Sequence, residues 1–242
     1  MADNALKEKD AYLLTLSDIF FAPITTPGTA TTAPEYDTNI YRKQIGKKVE
    51  VKGNGKATEI YASGVKVATV NQETNIETTM DYIGLATYVL DLISGAKSTN
   101  GVSFASSDAG VATEFGFGFT ARKSDGVMDG YWFPRTTLSP ATELSYETSE
   151  DEFKEQDVSM TLQSAGLLNQ ASDGRHIIYS KYSNQRETTL TLEDFMKQVV
   201  YDESQLATLV GSGTTPAGTG TTPTDDGAST TPAAGNDSGT QG

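Results

Sequence analysis

The chain has 242 residues, 18 Lys plus Arg against 32 Asp plus Glu, one His and no Cys, for a net charge of −14. The length suits one large domain with extensions, and the acid excess argues against a surface that grips nucleic acid, which needs clustered cations to neutralise phosphate. The lack of Cys excludes disulfides, thiolate metal sites and thiol nucleophiles, and a single His leaves little room for His-based metal or triad chemistry.

Residues 5–21 carry Leu13, Leu14, Leu16, Ile19, Phe20 and Phe21 without a clear period, so helix and strand both stay open there. Residues 22–40 read as a loop, with Pro23, Pro27, Gly28 and Pro34 among many Thr and Ala. Residues 1–40 are therefore expected to be an N-terminal segment and extended arm. Strand candidates follow at 45–81, where Val49 and Val51 alternate with charged residues. Asn54-Gly55 reads there as a hairpin turn, and Ile76, Thr78 and Met80 share a face. Tyr82, Leu85, Ala86, Val89 and Ile93 have helical spacing, with Gly95 placed to end the helix.

The strongest strand signal lies at 111–122. Val111, Thr113, Phe115, Phe117, Phe119 and Ala121 alternate with Ala112, Glu114, Gly116, Gly118, Thr120 and Arg122. A turn at Lys123–Gly126 returns the chain through Tyr131, Trp132 and Phe133 as a hairpin. Further strands are expected at Val158–Leu162 and His176–Tyr182. Leu192, Phe195, Met196, Val199 and Val200 form a helical stripe that Thr191 can cap. Residues 41–210 thus read as a mainly β (α+β) domain, an antiparallel sandwich or barrel with one or two flanking helices.

Residues 211–242 contain nine Thr and eight Gly, with no aromatic residue, no cation and no aliphatic larger than Ala. Such a segment cannot offset the entropy of ordering its backbone and is expected to be a flexible tail. Removing its three Asp leaves −11 on residues 1–210, so the body is itself acidic. The start lacks the basic and apolar regions of a signal peptide, and no apolar run is long enough to cross a bilayer, so neither export nor a membrane partner is expected.

Catalytic constellations are missing from the sequence. It has no G-x-S-x-G, H-E-x-x-H or phosphate-binding G-x-x-x-x-G-K-[ST] pattern, so no enzyme activity, cofactor or metal is expected. His176, beside Asp173-Gly174-Arg175, reads as a turn or strand-edge residue. Charge is more informative. Arg42, Lys43, Lys47, Lys48, Lys52 and Lys56 place six of the 18 cations within fifteen residues. Glu143, Glu147, Glu150, Asp151, Glu152, Glu155 and Asp157 form an acidic run of similar length. Subunits bearing opposite patches can join head to tail into rings or filaments, although such patches can also pair within one chain or face water. The cations, together with Glu147, Glu150, Asp151, Glu152, Glu155 and Asp157, are the candidate subunit interface.

The chain resembles the major tail tube proteins of long-tailed bacteriophages of Gram-positive bacteria. The similarity spans roughly Ile40–Tyr201 and rests on the order and spacing of several segments: Glu59–Ala62, Ile76–Gly95, Glu114–Phe119, Gly130–Pro134, Leu144–Thr148, Val158–Leu162 and Phe195–Tyr201. The resemblance implies a structural virion protein whose hexameric rings stack into a hollow tube around a tape-measure protein. Tail terminator and baseplate or distal tail proteins would be its other partners. It also implies assembly in the host cytoplasm and residence in the virion. DNA would pass through the lumen without specific binding, which suits an acidic subunit. Relatives often carry an immunoglobulin-like domain after the tube domain, whereas this sequence has the Thr/Gly tail in that place. Arms and loops bridge subunits in this family, so residues 1–40 or the long loops are expected to order on assembly. A different class of function remains as the alternative: a β-sandwich carbohydrate- or cell-wall-binding adhesin on a flexible stalk.

Overall fold

The two opposite faces of one strand organise the molecule. In the strand Glu114–Lys123 (β10), Phe115, Phe117 and Phe119 point to one side and Gly116, Gly118 and Thr120 to the other, and all six are buried. The computed structural model describes residues 11–63, 65–104, 110–139, 157–186 and 188–211. The tail at 212–242, residues 1–10 and the acidic residues 143–155 lie outside the described residues.

In chain order the elements are β1 (Leu13–Thr26), β2 (Glu35–Tyr36), β3 (Tyr41–Lys43), β4 (Gly46–Gly53), β5 (Lys56–Ala62), β6 (Val65–Gln72), β7 (Asn75–Tyr82) and α1 (Thr87–Ser94). They continue with β8 (Lys97–Thr99), β9 (Val102–Phe104), β10 (Glu114–Lys123), β11 (Met128–Leu138), β12 (Val158–Ala165), β13 (Ser180–Ser183), α2 (Leu192–Met196) and α3 (Glu203–Gly211). The main sheet runs β2-β1-β10-β11-β12-β7-β4, with β13 added to β11 and β3 to β1. Every pairing is antiparallel. Because β3 pairs with β1 and runs almost directly into β4, which pairs with β7, the sheet closes on itself as a barrel. The mainly β, antiparallel class read from the sequence is the one observed.

Registers explain the core. Ile19 opposes Phe119 and Phe21 opposes Phe117 across β1–β10, and Phe117 opposes Phe133 across β10–β11. These residues fill the barrel with Met80, Leu162 and Ile76 from β7 and β12. Val89 and Ile93 of α1 join the same cluster. On the outer face Phe20 opposes Gly118, and Ala22 opposes Gly116. The small residues let a second layer lie close: Phe20, Trp132, Tyr182, Phe195, Met196 and Val199 form a separate buried cluster. Trp132 therefore belongs to this second cluster and not to the barrel interior with the three Phe, and its indole Nε1 donates to the Phe195 carbonyl at 3.1 Å.

Several expectations change. Residues 13–26, assigned to an arm preceding the domain, form the long strand β1 between β10 and β3, so a boundary at residue 40 cuts through the barrel. Of the stretch expected to be loop, residues 27–34 and 37–40 lie between strands without sheet pairing, the first as a turn in which the Thr29 N–H donates to the Thr32 carbonyl. Asn54-Gly55 does not reverse the chain. It joins β4 to β5, and the Asn54 side-chain oxygen accepts from the N–H groups of Thr74 and Asn75 on the returning strand, so the reversal comes after Ala62. The predicted helix from Tyr82 begins only at Thr87, because Tyr82 completes β7 and Gly84 takes φ +115. Its end is as expected, with Gly95 left-handed at φ 71. The helical stripe at 192–200 is helix only to Met196; Val199 and Val200 are buried in irregular chain. The strand expected at His176–Tyr182 is confined to Ser180–Ser183.

Candidate interaction surfaces

β4 and β7 pair over the barrel and then continue outward as β5 and β6, which pair only with each other among the described residues. At ~3.3 Å per residue, the seven residues of β5 span about 23 Å. The register sorts the hairpin side chains by face. Thr58 opposes Val70, Ile60 opposes Ala68, and Val65 pairs with residue 62, so Ile60, Val65 and Val70 share one face. The other face carries Glu59, which accepts from the Tyr61 hydroxyl at 2.5 Å and pairs with Lys66. Nothing among the described residues covers the apolar face. Ile60, Val65 and Val70 are 47, 66 and 49% exposed. An isolated two-stranded hairpin is marginal in water, and its open edges can accept another strand. The sequence shows the alternation but cannot tell a covered face from an open one, so this feature read as ordinary strand.

A smaller hairpin, β8–β9, likewise leaves Val102 and Phe104 exposed. Tyr12, Leu13 and Leu14 form a third apolar group at the start of β1.

The candidate charged residues are largely engaged within the chain. Arg42 on β3 donates to Asp18 at 2.8 Å and lies 6.0 Å from the centre of the Phe20 ring. Lys43 bonds the Tyr88 hydroxyl. On β4, Val49 and Val51 alternate with Lys48, Glu50 and Lys52, and both lysines reach Glu50 at 2.8 Å. Their hydrogen bonds, Lys48 first, hold the Glu50 carboxyl down at about 2. Lys56 sits exposed at the foot of the projecting hairpin. Of the acidic candidates, Asp157 is described, and it pairs with Lys47 at 2.5 Å. The structure thus brings one member of each patch together inside a single chain. Glu147, Glu150, Asp151, Glu152 and Glu155 lie outside the described residues.

His176 behaves as a turn residue: its Nδ1 is 2.8 Å from the Leu167 carbonyl, beside an Arg175–Asp173 ion pair. No group of three or more His, Asp or Glu is arranged to hold a metal among the described residues. No described helix is long and apolar enough to cross a membrane.

No protein-family model matches the chain, and no curated protein does. The functional reading therefore rests on the residues and the fold.

Proposed function

We propose that this protein is a non-enzymatic structural subunit that self-associates into stacked rings forming the tail tube of a long-tailed phage. The observation that carries the reading is the projecting β5–β6 hairpin, whose Ile60, Val65 and Val70 face is left uncovered by the described residues. Exposed apolar area on an extended arm with open strand edges is stabilised when a neighbouring subunit buries it. A repeated contact between an arm and a different surface of the next copy is heterologous, and such contacts generate rings or filaments.

The acid excess supports the same reading. A net charge of −14 repeated around a channel repels phosphate, so DNA slides through without being held. On this reading the tape-measure, terminator and distal tail proteins are the other partners, and the tube is assembled in the host cytoplasm. Sedimentation velocity over a concentration series tests self-association. Growth into species of many subunits is expected. A chain that stays monomeric at every concentration and binds polysaccharide instead would favour an adhesin.

A further inference from the structure

One end of the barrel is closed by α1, whose Val89 and Ile93 pack among the core residues. The opposite end, where β1 and β11 begin and β10 ends, opens into a cavity of about 580 Å³. Ligand pockets commonly span 300–1,000 Å³ and form in the mouths of β-barrels.

The inward face of three neighbouring strands is graded toward this mouth. Along β10 it reads Phe117, Phe119, Ala121, Lys123, and along β11 it reads Phe133, Tyr131, Asp129. Along β13, Lys181 opposes Tyr131 and Ser183 opposes Asp129. The depth of the cavity is therefore apolar, walled by Phe119, Phe133 and, from the facing strands, Ile76 and Val49. Its lip carries two cations gathered on one carboxylate. Lys123 and Lys181 approach the same Asp129 oxygen, Oδ2, at 2.7 and 3.3 Å. Asp129 is 1% exposed, whereas both lysines reach the surface in part. The Lys181 ammonium also lies 5.3 Å from the centre of the Tyr131 ring, which stacks on Phe119 at 4.8 Å.

Two lysines against one carboxylate leave an excess positive charge on one lip of an otherwise acidic protein. Glu73, on the opposite lip, disfavours an anion on its own side and so directs a headgroup toward the lysines. We propose that the barrel mouth binds an amphipathic organic anion, with its carboxylate at Lys123 and Lys181 and its apolar tail against Phe119, Phe133 and Ile76. The site goes beyond self-assembly and does not depend on it.

Dodecanoate, below its micelle concentration, is the probe. Isothermal titration of the full chain is expected to give one site. Lys123→Gln/Asp129→Asn/Lys181→Gln, which neutralises the cluster without leaving a buried charge unpaired, should bind roughly tenfold more weakly. Dodecyltrimethylammonium should not saturate the site. Absence of a saturable site, equal affinity in the variant, or equal binding of the cation overturns the proposal. A diazirine-bearing dodecanoate on the wild-type chain gives a readout that does not depend on the variant folding. Label within 119–133 or 179–183 supports the site, and label confined to the β5–β6 hairpin overturns it.

Discussion

Trp132 lies so close to Gly118, its partner across β10–β11, that a Cβ on Gly118 would stand 2.7 Å from the ring carbon Cε3. It would also stand 2.9 Å from the Tyr131 carbonyl oxygen, which is backbone and cannot swing aside. The glycine is thus what allows the indole to lie flat on the outer face and reach the Phe195 carbonyl. Gly118→Ala is expected to cost about 1–3 kcal/mol through overpacking. Urea denaturation measures it; a midpoint equal to wild type would show that the outer layer is not closely packed.

Inside the barrel, three polar side chains on neighbouring strands differ in how they are satisfied. The Thr136 and Ser164 hydroxyls are 2.8 Å apart, and both residues are fully buried. The equally buried Thr78 hydroxyl has no hydrogen-bond partner among the described residues. Thr78→Val is expected to stabilise the fold by about 1 kcal/mol, since it removes an unmet polar group at nearly constant volume. Thr136→Val should destabilise by a similar ~1–2 kcal/mol, since it leaves Ser164 unpaired. Thermal melts of the two variants moving in the same direction would contradict this assignment.

Asp129 gives the fold a pH dependence. Burial raises its pKa, but hydrogen bonds from Lys123 and Ser183 and the nearby charges of Lys181 and Lys123 outweigh it and hold the carboxyl below its usual value. A depressed folded-state pKa contributes stability above the unfolded value of about 3.9 and loses it as pH falls through the folded value. Asp129→Asn is therefore expected to be less stable than wild type at neutral pH, with the gap closing below about pH 4. A gap that stays constant with pH, read from urea midpoints, would contradict the ion cluster.

The Lys47–Asp157 pair shows how little an exposed contact contributes. Both side chains are open to water, at 35 and 57% exposure. Asp157→Asn is expected to shift stability by less than about 1 kcal/mol. A larger loss in denaturant titration would mean that the pair anchors the entry to β12.

What was legible in the sequence follows from what each strand touches. The β10–β11 hairpin could be read directly, because large and small residues alternate along β10. Gly95 could be read as a helix end because a left-handed position selects glycine. β1 could not be read, because Asp18 to Ala22 is buried on both faces and such a strand has no period to detect. Helix α3 carried a signal that was missed. The side chain of Gln205 accepts from the N–H groups of Tyr201 and Asp202, while Asp202 accepts from the Ser204 N–H, a reciprocal cap spaced three residues apart. The barrel-mouth cluster joins Lys123, Asp129 and Lys181, which only the β10–β11–β13 pairing brings together. The exposed hairpin was hidden for the opposite reason. Its alternation was visible, but whether anything covers Ile60, Val65 and Val70 depends on the third dimension.

Self-association through the projecting hairpin is tested most directly by electron microscopy of the purified full chain beside Ile60→Glu/Val65→Glu/Val70→Glu. These side chains touch no barrel residue in either core cluster, so the variant should keep the wild-type melting temperature. Stacked rings or tubes are expected from the wild type and isolated subunits from the variant. A wild type seen only as single subunits, or tubes formed equally well by the charged variant, would contradict the account.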